Sequence, residues 1–197
     1  MWEIETALRS EGYLSVCGVD EAGRGPLAGP VFAAAVVLPF GIDIPEINDS
    51  KKLTETKREK LYKEIVDLAV SYAIASADHN EIDEMNILNA TYLAMNRAID
   101  ALSPVPSIVM IDGNRNAGIT SKSICVTGGD GLSASIAAAS ILAKVSRDRY
   151  MVEIAIKYPE YGFERHKGYG TKLHYEKLRE FGLSDIHRKS FLRKEGF

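Results

Sequence analysis

The sequence predicts an α/β protein built on one mixed β-sheet, and two observations support this class. Short apolar stretches rich in β-branched residues alternate along the chain with longer stretches whose apolar residues recur at helical spacing. The 197 residues are 46% hydrophobic and 26% charged, which is ordinary for a globular protein. We find no internal repeat and no linker-like segment, so a single domain over residues 1–197 is expected.

Five stretches fit β-strands. The first two flank a turn rich in glycine and proline, which predicts that they pair as a hairpin. All five are short and apolar, and the expected strands cover residues 14–19, 31–38, 72–77, 107–111 and 123–127.

Four stretches fit α-helices, with boundaries set by capping residues. Thr54 and Thr171 are suitable N-caps, while Pro159 and Gly182 are suitable terminators. Apolar side chains follow one face of each stretch, and the expected helices cover residues 54–71, 88–102, 133–158 and 171–181.

The composition excludes several classes of protein. The formal net charge of −3 and the high apolar content exclude a mainly disordered chain. Cys17 and Cys125 lie in apolar runs without metal-type spacing, which favours two buried thiols in a reducing compartment. The acidic amino terminus does not fit a signal peptide, and the longest apolar run, residues 31–38, is too short to cross a bilayer. We therefore expect a cytoplasmic protein with no membrane partner, and a monomer.

Charge is distributed unevenly along the chain. Residues 1–143 hold 11 Lys and Arg against 19 Asp and Glu, whereas residues 144–197 hold 13 against 8. A basic segment can neutralise nucleic-acid phosphates. Charge alone favours the simpler interpretation, a solvated helical face.

Four acidic residues stand where predicted strands end. Asp20 and Glu21 follow the first strand, Asp112 ends the fourth, and Asp130 follows the fifth. A carboxylate at the end of a buried strand is poorly solvated, and clustered carboxylates repel each other. A divalent cation would relieve both costs, and oxygen ligands favour Mg²⁺ or Mn²⁺ over zinc.

Each acid also has a simpler interpretation. Asp130 would suit a helix N-terminus, and Asp112 would suit an Asp-Gly turn. On a regular strand Asp20 and Glu21 face opposite ways, so both reach one metal site only if the strand breaks between them or bends at residues 22–23. Taken together, the four acids are better explained by a metal site.

A glycine turn follows the acidic pair directly. Gly23 and Gly25 permit positive φ angles and close approach of a ligand to the backbone, and Arg24 between them can reach a phosphate. An ordinary hairpin turn with an exposed arginine is the alternative, and the adjacent acids favour a binding role.

At this point the chain resembles the type 2 ribonucleases H (ribonuclease HII) from about Tyr13 to Phe191. The segments that carry the resemblance are GVDEAGRGPLAGPV (18–31), NDSKKLT (48–54), EIDEMNILNATYLAMNRAI (81–99), IDGN (111–114), GGDGLSASIAAASILAKVSRDR (128–149), YPEYGFERHKGYGT (158–171) and HRKSF (187–191). The resemblance implies a ribonuclease H-like fold, in which helices flank a five-stranded mixed sheet and residues from about 159–197 form a basic helical C-terminal extension.

The resemblance also implies roles for individual residues. The catalytic, metal-binding carboxylates of the family fall on Asp20, Glu21, Asp112 and Asp130. Its glycine-arginine-glycine motif, whose backbone contacts the 2′-OH of the ribonucleotide, falls on residues 23–25. Its substrate-sensing tyrosine falls on Tyr169.

The implied reaction is hydrolysis of the phosphodiester 5′ to a ribonucleotide. The nucleic-acid substrate would be an RNA–DNA hybrid or duplex DNA with an embedded ribonucleotide, so that RNA or misincorporated ribonucleotides are removed from DNA. Two Mg²⁺ or Mn²⁺ ions would act with substrate bound, leaving 3′-hydroxyl and 5′-phosphate ends. A site that hydrogen-bonds the 2′-OH rejects plain DNA because its polar groups would then be unpaired.

Further residues are weaker candidates for nucleic-acid contacts, with a loop or a salt bridge as the alternative for each. They are Ser50, Lys51, Lys52, Asn114, Arg115, Lys144, Arg147 and residues 165–167. His166 is expected to be structural or to lie near a phosphate rather than to act as a general base. Many relatives have a Lys-Gly-Asp string where this chain has Gly128, Gly129 and Asp130, so one positive charge near the expected site is missing.

Two other functions fit part of the pattern. A junction nuclease or integrase would also use strand-end carboxylates, but the glycine turn and Tyr169 favour recognition of a 2′-OH. A non-catalytic binding module would have no reason to hold four mutually repelling acids near phosphates.

Overall fold

The computed structural model describes residues 1–47, 53–193 and 196. Its strands are β1 (Val16–Ala22), β2 (Val31–Val37), β3 (Ser71–Ala77), β4 (Ile108–Asp112) and β5 (Ser123–Val126). Its α-helices are α1 (Glu3–Ser10), α2 (Glu55–Leu68), α3 (His79–Asp100), α4 (Ala134–Lys157), α5 (Phe163–His166), α6 (Lys172–Phe181) and α7 (Lys189–Leu192).

The strands form one mixed five-stranded sheet in the order β3-β2-β1-β4-β5. The first hairpin is confirmed, because β1 pairs antiparallel with β2, and β2 continues antiparallel to β3. β4 lies parallel to both β1 and β5. The C-terminal ends of β1, β4 and β5 therefore lie side by side at one end of the strands, where the predicted acids lie.

Helices cover both faces of the sheet. One apolar cluster joins Cys17 and Val19 of β1 to α3, and a second joins Ala34 and Val36 of β2 to α2 and α4. Gly18 shows how closely α4 approaches β1, since a Cβ at this position would lie 2.2 Å from the backbone carbon of Ser135. The small residues at the start of α4 let its backbone pack directly on the central strand.

Several predicted boundaries are confirmed by capping contacts. The side chain of Thr54 accepts a hydrogen bond from the amide of Lys57, and that of Thr171 accepts one from the amide of His174. A short 3₁₀ turn beginning at Pro159 follows α4, and Gly182 follows α6.

Three features differ from the sequence prediction. β1 continues to Ala22, so Asp20 and Glu21 lie within the strand rather than after it. α3 begins at His79, nine residues before the predicted helix, and a kink at Asn86 separates its polar first part from the periodic second part. α1 was not predicted, because its eight residues are too few for periodicity to stand out. Cys17 is buried as expected, whereas Cys125 is only partly buried.

The segments after α4 pack against the connection between β1 and β2. The amide of Leu27 donates to Gly168 O, that of Gly29 donates to Ile186 O, and that of Arg188 donates to Leu27 O. The helical character of this C-terminal region is as expected, while its description as an extension of one domain stays a prediction. None of the helices that the structure describes is long and apolar enough to cross a bilayer.

Candidate active site

A cavity opens beside the C-terminal ends of β1 and β4. Three of the four predicted acids line it, together with the glycine turn and the predicted substrate-sensing tyrosine. The lining residues are Asp20, Glu21, Ala22, Gly23, Arg24, Gly25, Arg58, Asp112, Ser140, Ile141, Lys144 and Tyr169. The fold thus brings together residues that lie almost 150 positions apart in the sequence.

Asp20 and Glu21 reach the same cavity from a regular strand. β1 keeps its pairing with β2 through both residues, with Asp20 opposite Ala34 and Glu21 opposite Ala33. A break between the two acids is therefore excluded, whereas the alternative of a bend at residues 22–23 fits, since β1 ends at Ala22 and Gly23 has φ +97°. The cavity lies beyond the end of the strand, so side chains from both faces of the sheet border it.

Asp20 is a buried carboxylate with few compensating contacts. Its Oδ1 accepts a 2.7 Å hydrogen bond from the amide of Glu21, and its side chain also accepts one from Ser140 of α4. Burial raises the pKa of Asp20 well above its usual range, and the charges of Glu21 and Asp112 raise it further. Asp20 therefore favours a neighbouring cation.

Glu21 is paired with the arginine of the glycine turn. Arg24 Nη1 lies 3.2 Å from Glu21 Oε1. Burial raises the pKa of Glu21, Arg24 opposes this shift, and the charge of Asp112 adds to it. The acidic pair and the turn thus form one electrostatic unit.

Asp112 and Asp130 lie in two neighbouring segments, the end of β4 and the turn that follows β5. Asp112 ends β4, and its Oδ1 accepts a 2.8 Å hydrogen bond from the amide of Gly129. Asp130 is buried in the short 3₁₀ turn Gly129–Gly131, and it does not line the cavity itself. The structure therefore brings three of the predicted acids into the cavity and holds the fourth in the adjoining turn.

The carboxylates stand apart rather than in a closed metal site. Within residues 1–47 and 53–193, no three His, Cys, Asp or Glu side chains are close enough together to hold one metal ion. Asp112 still lies close enough for its charge to raise the pKa of both Asp20 and Glu21. Their oxygen donors nevertheless fit a hard divalent cation such as Mg²⁺ or Mn²⁺.

The glycine turn lies against Tyr169. Gly23 has φ +97°, and a Cβ there would lie 2.0 Å from Arg147 Nε, so no other residue fits. A Cβ on Gly25 would lie 3.9 Å from Tyr169 Cε1. The ring of Tyr169 is 43% exposed at the cavity, and the guanidinium carbon of Arg147 lies 5.7 Å from the ring centroid.

Three buried histidines support the Tyr169 loop. His187 Nδ1 accepts from the amide of Ser184 at 2.9 Å, which leaves Nε2–H of His187 to donate to His174 Nε2 at 3.0 Å. His174 Nδ1–H then donates to the carbonyl of Tyr169 at 3.0 Å. These partners assign a neutral tautomer to each ring.

His166 is a structural residue, in agreement with the expectation. Its Nδ1 accepts from the amide of Gly168, its Nε2–H donates to the carbonyl of Tyr161, and its ring stacks on His174. Burial lowers the pKa of His166, and it lowers those of His174 and His187 to about 4.

The weaker candidates have mixed outcomes. Asn114 and Arg115 line a second groove, which shares Glu21, Arg24 and Asp112 with the cavity. Lys144 lines the cavity and forms a 2.7 Å ion pair with Asp148. Arg165 is exposed and Lys167 is partly exposed. Ser50, Lys51 and Lys52 lie outside the described residues.

Arg147 was wrongly expected to line the duplex path. It is only 1% exposed, and its guanidinium donates to backbone carbonyls. Sequence reasoning also missed Ser140, Arg58 and Arg188. Ser140 lies one helical turn before Lys144, and this spacing could have indicated that both face the site. No local sequence feature indicates Arg58 or Arg188.

Solved structures share this architecture. The ribonuclease H2 of Pyrococcus horikoshii OT3 superposes with a TM-score of 0.75 at 29% identity, over 90% of this chain and 93% of that one. Bst-RNase HIII in complex with Mn²⁺ superposes with a TM-score of 0.70 at 20% identity, over 96% and 70% of the two chains. The fold is therefore that of the ribonuclease H-like nucleases.

Sequence relatives narrow this class. The profile of the family Ribonuclease HII matches residues 17–194. Ribonuclease HII of Caldicellulosiruptor saccharolyticus is 55% identical over 192 residues, which cover 98% of this chain and 94% of that protein. The chain belongs to the ribonuclease HII family, and its enzyme class is that of a ribonuclease H, a hydrolase that cuts as an endonuclease.

Proposed function

We propose that this enzyme hydrolyses the phosphodiester on the 5′ side of a ribonucleotide, in an RNA–DNA hybrid or in duplex DNA with an embedded ribonucleotide. The products are 3′-hydroxyl and 5′-phosphate ends. One observation carries the proposal: carboxylates, a glycine turn and Tyr169 line a single cavity. The carboxylates suit phosphodiester chemistry, and the glycine turn and Tyr169 suit recognition of a ribose.

Divalent ions fit the acids of this edge. Asp20, Glu21, Asp112 and Asp130 would hold Mg²⁺ or Mn²⁺, two ions with substrate bound. Burial and the charge of Asp112 raise the pKa values of Asp20 and Glu21, and a bound cation would offset both effects. When bound, such ions supply Lewis acidity toward the phosphate and a more acidic water. The separation of the acids supports a site that substrate phosphate completes.

Residues of the turn bind and orient the ribonucleotide. The amides of residues 23–25 are suited to contact the 2′-OH and the neighbouring phosphate, and the Tyr169 hydroxyl is suited to the same 2′-OH. A deoxyribonucleotide would leave these groups unpaired, so the site rejects plain DNA.

Cations around the cavity orient the phosphate backbone. Arg24, Arg58 and Lys144 line the cavity, and Arg115 extends the positive charge into the adjoining groove. Asn114 in that groove is a further candidate contact, as are Ser50, Lys51 and Lys52. Because such contacts are largely electrostatic, affinity falls as salt is raised.

The proposed role is removal of RNA or misincorporated ribonucleotides from DNA, by a cytoplasmic monomer whose macromolecular partner is nucleic acid. The family assignment supports the substrate class.

A cleavage assay tests the proposal. A duplex with one ribonucleotide and its all-DNA counterpart are incubated with Mg²⁺ and the wild type, Asp20→Asn or the control Asp67→Asn, whose side chain is exposed on α2. We expect a cut 5′ to the ribose only, in the wild type and the control but not in Asp20→Asn. Cutting of both duplexes would favour a junction nuclease, and binding without cutting would favour a non-catalytic module.

A further inference from the structure

Two buried arginines hold the connection between β1 and β2. Arg188 is fully buried, and its guanidinium donates at three points along this connection. Nε donates to Gly29 O at 2.9 Å, Nη1 to Arg24 O at 3.0 Å, and Nη2 to Gly23 O at 2.6 Å. One planar side chain thus binds two carbonyls of the glycine turn and a third one near the start of β2.

Arg147 joins this connection to the loop that carries Tyr169. Its Nε donates to Pro30 O at 3.1 Å and its Nη2 to Ala28 O at 3.3 Å. Its Nη1 donates to Lys167 O at 3.0 Å, two residues before Tyr169. The guanidinium of Arg147 therefore links the β1–β2 connection to the Tyr169 loop, in addition to the bond from the amide of Leu27 to Gly168 O.

The arrangement is costly for stability alone. In the described part of the chain neither arginine forms an ion pair with a carboxylate, and all six acceptors are carbonyls. Burial lowers the pKa of Arg188 to about 9, with a contribution from Arg147, which still leaves it charged at pH 7. Two buried charges without counter-ions are costly, and what offsets this cost is the set of six carbonyls that the guanidiniums bind.

The bonds of Arg188 also orient the amides of the turn. In a trans peptide the N–H points opposite to the C=O of the same plane. With Gly23 O and Arg24 O held by Arg188, the N–H groups of Arg24 and Gly25 point away from it. Within the described residues these two amides donate to no protein acceptor, and both residues line the cavity.

We propose that Arg147 and Arg188 are positioning residues for ribose recognition: they hold the amides of Arg24 and Gly25 and the Tyr169 loop in register for one 2′-OH. Neither arginine touches the substrate. This positioning role rests on the proposed function. The experiment must therefore distinguish an error in the positioning role from an error in the proposed function.

The test measures the affinity ratio between two duplexes that differ by a single 2′-OH. Binding is measured in an Asp112→Asn parent, which prevents cleavage, and Arg188→Lys or Arg147→Lys is added. Lysine keeps the charge, but its single ammonium nitrogen cannot span three carbonyls. Arg97→Lys is the matched control, because Arg97 is an exposed arginine that donates to Ser76 O and Glu81 and does not line the cavity.

We expect each buried exchange to reduce the ratio about tenfold, the equivalent of one hydrogen bond, with affinity for the all-DNA duplex within about twofold of the parent. The control keeps the parental ratio. An unchanged ratio in folded Arg188→Lys and Arg147→Lys overturns the positioning role alone. Equal binding of both duplexes by the parent overturns the proposed function and the positioning role with it.

A measurement on the unaltered chain covers the case in which the variants do not fold. NMR follows the Hε protons of Arg147 and Arg188 and the amides of Arg24 and Gly25, without divalent metal so that no cleavage occurs. Slow Hε exchange, with amide shifts caused by the ribonucleotide duplex and not by DNA, supports the positioning role. Fast Hε exchange, or equal shifts with both duplexes, overturns it.

Discussion

Asp112 and the backbone of Gly129 are joined by a 2.8 Å hydrogen bond, in which Asp112 Oδ1 is the acceptor. This bond ties the end of β4 to the turn that contains Asp130. The third predicted acid therefore contacts the 3₁₀ turn that contains the fourth. An amide at position 112 keeps an oxygen for this bond but lacks the negative charge, so geometry and charge can be separated experimentally.

We expect Asp112→Asn to lower the cleavage rate at least about 100-fold while duplex binding is retained or strengthened, because a negative charge facing the phosphates is removed. Single-turnover cleavage and equilibrium binding measure the two effects. A loss of binding equal to the loss of cleavage would contradict a charge effect at the reacting phosphate.

Tyr169→Phe tests the hydroxyl separately from the ring. The ring keeps its packing near Arg147 and Gly25, whereas one hydrogen bond to the ribose is lost. We expect kcat/KM on the ribonucleotide duplex to fall about tenfold. Tyr175→Phe is the control, as a nearby tyrosine outside the cavity lining. Equal effects of the two substitutions would rule out a specific role for the Tyr169 hydroxyl.

Gly18→Ala tests the contact between β1 and α4. The added methyl group would meet the backbone of Ser135 and Ile136, which cannot move without shifting the helix. We expect the free energy of unfolding to fall by about 1–3 kcal/mol or more. Urea denaturation measures it, with Gly131→Ala as control, since an added Cβ there meets nothing within 4 Å. Equal losses would show that α4 adjusts freely.

The histidine chain predicts loss of stability in mild acid. Folding lowers the pKa of His174 and His187 from 6.5 to about 4, so between these values the unfolded chain binds more protons. The free energy of unfolding therefore falls as pH is lowered from about 6.5 to 4, by roughly 3 kcal/mol for one such histidine. Added protons would place two N–H groups against each other between the rings.

Denaturant unfolding at pH 7, 5.5 and 4.5 measures this dependence. His174→Phe should reduce the slope with pH, because it removes one of the two histidines whose pKa folding lowers to about 4. An identical slope in His174→Phe would assign the acid sensitivity to other groups.

Metal affinity should depend on the nucleic acid. The acids repel each other, and they are too far apart to enclose an ion without further ligands. Calorimetric titration with Mg²⁺ should show weak binding to the enzyme alone and binding at least about tenfold tighter with a non-cleavable ribonucleotide duplex. Equally tight binding in both titrations would contradict a site completed by phosphate.

Local pattern predicted the sheet, its first hairpin and most boundaries, because strand composition and capping act over a few residues. Thr54, Pro159 and Gly182 all mark ends that the structure confirms. The polar first part of α3 was not predicted. The helix begins with a capping box at Asp78 and Glu81, without the apolar periodicity that marks its second part. The alternation of strand side chains gave the opposite directions of Asp20 and Glu21, but it could not show that the cavity lies beyond the strand end.

Long-range contacts limited prediction of the site. Arg188 bonds the turn from 164 and 165 residues away along the chain, and no local pattern signals such a pairing. Arg147 looked like a basic residue for nucleic acid because its burial depends on the packing of α4 against residues 28–30. The four acids could be predicted from the sequence, because each one lies at or just after an apolar strand.

The order of synthesis gives the contacts of Arg188 a further consequence. The turn at residues 23–25 leaves the ribosome early, but the side chain that holds its carbonyls follows more than 160 residues later. Until residue 188 emerges, a nascent chain has the carboxylates of β1 without the finished turn beside them. An incomplete chain therefore lacks the guanidinium that binds the carbonyls of Gly23, Arg24 and Gly29.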